Sequence, residues 1–206
     1  MTQTTVELPH AELFERALAD DLGGAKAAEI VQAAGARYDD LYAERTRHDN
    51  RALRRHLEES LLPGIALYRA LLADPDTQER ALPLFEAMME AWGLSRRTSM
   101  EMVGRLPIFY WLIRATVKRM TERDYPPEGW DIEWLEVSRD EIRFDISRCF
   151  YMDMLVAYDA PELARAYCRT DDLIYDGISP QASWERTRTL GRGDDCCDFR
   201  FVRVKG

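Results

Sequence analysis

The residues best suited to chemistry in this sequence are three thiols in its last third. They are Cys149 in Arg148-Cys149-Phe150-Tyr151, Cys168 in Tyr167-Cys168-Arg169-Thr170-Asp171-Asp172, and Cys197 in Cys196-Cys197-Asp198-Phe199-Arg200-Phe201. Each stands beside charged or polar groups that a thiol acting only as a small hydrophobe does not need. If residues 161–174 are helical, Asp171 and Asp172 follow Cys168 at i+3 and i+4 and share its face. A carboxylate there can accept a proton or hold a water, but it also raises the pKa of a nearby thiol. A nucleophilic Cys168 therefore needs a cation close by, and Arg148, Arg169, Arg186, Arg188 and Arg200 are the candidates. On spacing alone the plainer reading of Cys168 is a buried small side chain with two exposed carboxylates. Cys197 shares a strand face with Phe199 and Phe201, so burial is its plainer reading too. Cys149 falls at a strand-to-helix junction, where backbone N–H groups are free, and its neighbour Arg148 can clamp a carboxylate with two hydrogen bonds.

Other chemistries find little support. There is no GxSxG, P-loop, GxGxxG after a strand, or HExxH. The histidines, His10, His48 and His56, lie far upstream of the thiols, which argues against a Cys–His nucleophile pair and a Cys/His zinc site. No CxxC pair is present, and the four cysteines are expected as free thiols. No metal and no cofactor is expected. A formal net charge of −9 argues against a nucleic-acid partner. The sequence has no apolar run of membrane-spanning length, and the stretch MTQTTVELPHAELFER lacks the basic and apolar regions of a secretory leader. A cytoplasmic location is the expectation.

The elements that must position these residues read as helices followed by strands. Helices are predicted over 11–22, 25–46, about 50–72 with a kink or break at Pro63-Gly64, 77–92 stopped by Gly93, and 95–123 interrupted early by Pro107. Met88, Met89, Met100 and Met102 read as gap-fillers of a helical core. Composition changes at Asp124-Tyr125-Pro126-Pro127-Glu128-Gly129. Beyond it Ile142, Phe144 and Ile146 alternate with polar residues as in a half-buried strand, and 132–137 pairs with it through the loop 138–141. Short helices follow at 150–158 and from Pro161. A second hairpin is predicted from 183–190 and 196–204 around Gly191-Arg192-Gly193-Asp194-Asp195. The order predicts an α+β fold, with an N-terminal helical part (1–125) packed on a C-terminal antiparallel β-β-α-α-β-β unit (126–206), the two forming one compact body.

At these residues the chain resembles the L-2-amino-thiazoline-4-carboxylic acid hydrolase family. The matching segments are Phe144 to Tyr151, Pro161-Glu162-Leu163 with Cys168 and Asp171, Arg186-Thr187-Arg188-Thr189-Leu190, and Gly193 through Phe201. Upstream, His56-Leu57-Glu58-Glu59 and Leu62 to Tyr68 resemble its helical part. Departures occur at Asp153, at Arg169-Thr170 and at Cys196. The resemblance implies hydrolytic opening of a small, carboxylate-bearing cyclic amidine to an N-carbamoyl amino acid. On that frame Cys168 or Cys149 is the nucleophile, Asp171 the base that orients water, and Arg148 or Arg186 the carboxylate anchor. Cys197 completes the catalytic set, and Tyr151, Thr187 and Arg200 contact substrate. Two other readings fit the same scaffold: a non-catalytic small-molecule sensor, suggested by similarity to the 4-vinyl reductase group, and a biosynthetic enzyme running another reaction.

Overall fold

A computed structural model describes residues 6–205; the first residues of the stretch read above for a leader lie outside the described residues. Helices α1 (Ala11–Leu22) and α2 (Gly24–Glu44) are joined at Gly23, which adopts a positive φ of 79° that most side chains avoid. The next helical stretch has three parts: α3 (Arg51–His56), a π-helical turn (Leu57–Leu61) and α4 (Leu62–Ala73). The kink expected at Pro63-Gly64 is thus taken up one turn earlier. Pro63 sits in the first turn of α4, where its missing N–H costs nothing. From Leu62 through Tyr68 α4 is buried without interruption, so it is the central helix of the core rather than a one-sided surface helix.

Helix α5 (Ala81–Gly104) runs through Gly93, where a stop was expected. The reason is tertiary. A Cβ at Gly93 would stand 3.2 Å from Leu173 Cδ1, so the glycine serves close helix packing and not termination. The helix breaks at 105–108, around Pro107, before α6 (Phe109–Asp124). Met88 and Met89 fill the core as expected, whereas Met102 is exposed.

Strands β1 (Trp130–Val137) and β2 (Glu141–Cys149) form the expected hairpin. Helices α7 (Phe150–Ala157) and α8 (Ala164–Tyr175) follow, then β3 (Ala182–Glu185) and β4 (Cys197–Arg203). All pairings are antiparallel, in the order β1-β2-β4-β3, and the α+β order read from the sequence holds. The second hairpin is looser than expected. Strand β3 ends at Glu185, and residues 186–196 form a long connection pinned by side chains. One apolar cluster runs from Phe14 and Leu18 through Leu67 and Phe85 to Ile142 and Phe201. No helix among the described residues is long and apolar enough to cross a membrane.

Candidate active site

Period-two alternation builds the floor. In register, Ile132, Ile146 and Cys197 form one row and Trp134, Phe144 and Phe199 the next on the same face of the sheet. The rings of Phe144 and Phe199 stack with centroids 4.9 Å apart, flanked by Trp134 at 4.7 Å from Phe144 and Trp184 at 5.5 Å from Phe199. Helix α8 lies across this face, with Tyr175 5.0 Å from the Trp184 ring and 5.5 Å from Phe201. Its 3.6-residue period presents Cys168, Asp171 and Tyr175 together.

The 186–196 connection brings backbone donors to the sulfurs. Asp198 accepts from the Thr187 N–H at 2.8 Å, the Thr187 hydroxyl at 2.6 Å and the Arg188 N–H at 2.6 Å. Asp194 accepts from the Thr189 N–H at 2.7 Å. With the connection held this way, Leu190 N–H donates to Cys197 Sγ at 3.2 Å and Gly191 N–H donates to Cys168. Gly191 is required by space: a Cβ there would stand 2.7 Å from Cys168 Sγ and 2.9 Å from the Ala164 carbonyl oxygen.

Cys168 and Cys197 lie close enough to bear on each other's proton. The Cys197 S–H bond, aided by the Gly191 N–H, holds the Cys168 thiol below its usual range against burial and the nearby Asp171 and Cys149. Cys197 is correspondingly pushed up, by the Cys168 sulfur and by burial. Cys149 stands at the N-cap position of α7, near the Tyr151 and Met152 N–H groups but with no side-chain cap, and burial lifts it to about 11.

Asp171 is raised to about 6, chiefly by burial, with Arg186 pulling the other way. Its side chain remains 37 % accessible, and beside it a recess of about 620 Å³ is lined by Cys168, Asp172, Arg186 and Arg165 among others. Arg186 is 1 % accessible: its two terminal nitrogens donate to Asp171 at 3.0 Å, to Asp172 at 2.7 Å and to the Cys168 carbonyl at 2.6 Å, while its buried Nε has no partner. Trp184 Nε1 fixes Asp172 at 3.1 Å.

Three tyrosines stand close enough to Asp171 to feel its charge. Tyr125 is 38 % exposed yet held well above its usual range by burial, with Asp171, Tyr151 and Tyr175 adding to the effect. Burial likewise raises Tyr151 and Tyr175 to about 12, and both feel the Asp171 charge. Tyr151 is oriented by a histidine. His56 Nε2 lies 2.8 Å from the Asp124 carbonyl, which can only accept, so Nε2 carries the proton and Nδ1 accepts from the Tyr151 hydroxyl at 3.0 Å. Burial lowers the His56 pKa and favours this neutral tautomer. The π-helical turn sits against the same wall: the Ser60 side chain hydrogen-bonds Tyr151, and the Ser60 carbonyl accepts from the Tyr167 hydroxyl at 3.0 Å.

The family model for L-2-amino-thiazoline-4-carboxylic acid hydrolase matches residues 54–201. The chain belongs to this family. The match takes in every recess residue described above, from His56 to Cys197, and leaves out α1 and α2. No curated protein and no solved structure matches the chain.

Within this hydrolase-family frame, the fold brings together Cys149, Cys168, Cys197, Asp171 and Tyr151, with Arg186 behind Asp171. Three other residues considered from sequence face elsewhere. Arg148 is held by Asp153 at 3.2 Å and the Glu128 carbonyl at 2.8 Å, half-exposed. Arg200 is held by Glu141 at 2.7 Å and Glu185 at 2.8 Å. Thr187 is spent on Asp198. Sequence reading missed His56, Tyr125, Tyr175 and Gly191. Gly191 carried a signal, as a glycine in a predicted loop between two cysteine-bearing segments, and His56 stood in a segment resembling the family, but its role could not be read because its partners lie 68 and 95 residues away. Among the described residues no group of three or more His, Cys, Asp or Glu is placed to hold a metal ion.

Proposed function

We propose that this hydrolase-family member opens the ring of a 2-aminothiazoline carboxylate, using Cys168 as nucleophile and Asp171 as proton carrier. The observation that carries the reading is the pairing of opposite shifts one helical turn apart: a thiol held low by Cys197 and Gly191, and a carboxyl held high by burial. A cyclic isothiourea is protonated near neutral pH, and an aromatic recess with an ionised carboxylate suits that cation.

The Cys168 thiolate adds to the ring carbon between sulfur and nitrogen, forming an S–C bond. The bond from that carbon to the ring sulfur then breaks, with its electron pair leaving on sulfur. Asp171 carries a proton from the amidinium nitrogen to the departing thiolate. A water then adds across the C=N bond of the neutral isothiourea left on Cys168, its oxygen to carbon and one proton to nitrogen, and collapse to the urea passes the other proton to Asp171 and expels the Cys168 thiolate. One water is added overall, and the proton brought in on the amidinium is released. The product is an N-carbamoyl amino acid bearing a free thiol. Arg186 keeps Asp171 directed into the recess while tuning how readily it holds a proton.

The test is incubation with aminothiazoline, thiazoline and related cyclic amidines, read by mass spectrometry. A gain of one water, lost in Cys168→Ala while that variant remains folded, supports the reading. Hydrolysis that survives in Cys168→Ala sinks the nucleophile assignment, and tight binding without any turnover favours a sensor.

A further inference from the structure

The four cysteines are all free thiols, and two of them meet on one short piece of backbone. Leu190 N–H donates to Cys197 Sγ at 3.2 Å, and a Cβ on the next residue, Gly191, would stand 2.7 Å from Cys168 Sγ. Sulfurs from helix α8 and strand β4 therefore converge on two consecutive residues, and each bears on the other's proton. The missing side chain at Gly191 is what leaves room for the Cys168 sulfur there.

The pair is unequal in access. Cys168 is half-buried and lines the recess of about 620 Å³ between α5, α8 and the 186–196 connection. Cys197 is 6 % exposed, at the start of β4. A small oxidant entering from solvent thus meets Cys168 first, and Cys197 holds that thiol low, which keeps it nucleophilic. Sulfur oxidation selects such accessible, low-lying thiols, and a second thiol beside them captures the first product before it is oxidised further. The other two cysteines are badly placed to take part. Cys196 turns to the other face of the sheet, its Sγ 3.7 Å from Asp145 Oδ2. Cys149 stands beyond the last β2–β4 pair, Ile146 with Cys197, and burial raises it to about 11.

We propose that Cys168 and Cys197 form a peroxide-reactive dithiol, with Cys168 the oxidised sulfur, Cys197 the resolving sulfur, and the disulfide between them a reversible off state of the enzyme. The Cys168 thiolate attacks the terminal oxygen of a hydroperoxide. The O–O bond breaks, its electron pair leaves as hydroxide or alkoxide, and that anion takes up a proton. Cys168 is then a sulfenic acid. Cys197 sulfur attacks the Cys168 sulfur, an S–S bond forms, the S–O bond breaks, and the departing hydroxide leaves as water with the Cys197 proton. The two sulfurs lose two electrons in all, and hydrogen peroxide is reduced to two waters. A small dithiol reverses the step by exchange. The off state rests on the ring-opening reading, in which Cys168 is the nucleophile; the dithiol itself does not.

The test treats the reduced full chain with hydrogen peroxide, blocks remaining thiols with N-ethylmaleimide, and maps peptides without reduction. Wild type is expected to lose two hydrogens in intact mass and to yield a peptide joining Cys168 to Cys197. Hydrolysis of the cyclic amidines should fall in proportion to that peptide, and dithiothreitol should restore both. Cys197→Ser should instead take up two oxygens at Cys168, as a sulfinic acid that dithiothreitol does not remove. Cys149→Ala should still form the Cys168–Cys197 link. Wild-type thiols that stay reduced, a Cys168 carried to the sulfinic acid without a link, or a link from Cys168 to Cys149 overturns the proposal. A Cys168–Cys197 link in protein that hydrolyses none of the cyclic amidines supports the dithiol and removes the ring-opening reading, with the off state that rests on it. A fully linked protein that keeps its hydrolysis overturns the off state and the nucleophile assignment together.

Discussion

Two corners of the recess each place a cysteine beside backbone N–H donors, and they differ in what those donors achieve. Cys149 has the more conventional setting, at the start of a helix near two N–H groups, yet its sulfur makes no cap and burial lifts it to about 11. Cys168 has a single N–H from Gly191, but it also receives the Cys197 S–H, and its thiol is held low. Donors offset the desolvation of a thiolate only when they outweigh it, and at Cys149 they do not. The proposed mechanism accordingly uses the corner built by a loop and a strand rather than the helix terminus.

The sharpest way to break this contrast is to remove each sulfur in turn. Cys168→Ala is expected to lose about a thousandfold or more in kcat. Equal losses in Cys168→Ala and Cys149→Ala would erase the distinction between the corners. Asp171→Asn is expected to lose about a hundredfold or more. Because Asp171 is raised to about 6 and acts ionised toward the amidinium, wild-type activity should rise with pH through that value and fall away below it. The Asn variant should lack this limb in a pH–rate profile, keeping only the titration of the thiol. An unchanged profile would remove Asp171 from the mechanism.

Gly191→Ala tests the donor loop directly. Its new Cβ must displace Cys168 Sγ or the Ala164 carbonyl, and a loss of about a hundredfold is expected, with slower iodoacetamide labelling of Cys168. Asp198→Ala loosens the same loop from further away by freeing three donors, and about a tenfold loss is expected. The smallest effect should come from Cys149→Ala, within about threefold. In wild type Cys149 should resist alkylation at neutral pH and react only as the pH approaches 11, as peptide mapping would show. Labelling of Cys149 ahead of Cys168 at neutral pH would reverse the comparison.

Much of the scaffold was legible before folding because it rests on local periodicity. The α1 boundaries, the β1–β2 hairpin and the short helices after it all follow from apolar spacing and turn residues. The misreadings were of residues whose local and tertiary roles conflict. Gly93 looks like a helix stop but is used for close approach to Leu173. Pro63 looks like a break but sits at a helix start, next to a π-helical turn that local pattern does not announce. The strand predicted to reach Leu190 ends at Glu185 because Asp194 and Asp198 take up the backbone donors of Thr187, Arg188 and Thr189.

By itself the sequence determined the α+β order, the family resemblance and the grouping of Cys168 with Asp171, since all three depend on residue type and short spacing along the chain. Tertiary structure alone decided which thiol is held low, which carboxylates Arg186 pairs with and which histidine orients a tyrosine. Those outcomes depend on desolvation and on partners far apart in sequence, such as Cys168 with Cys197, Arg186 with Asp171, and His56 with Tyr151. Protonation in the recess follows from the balance between burial and hydrogen bonding at each atom, and that balance exists only once the chain has closed around it.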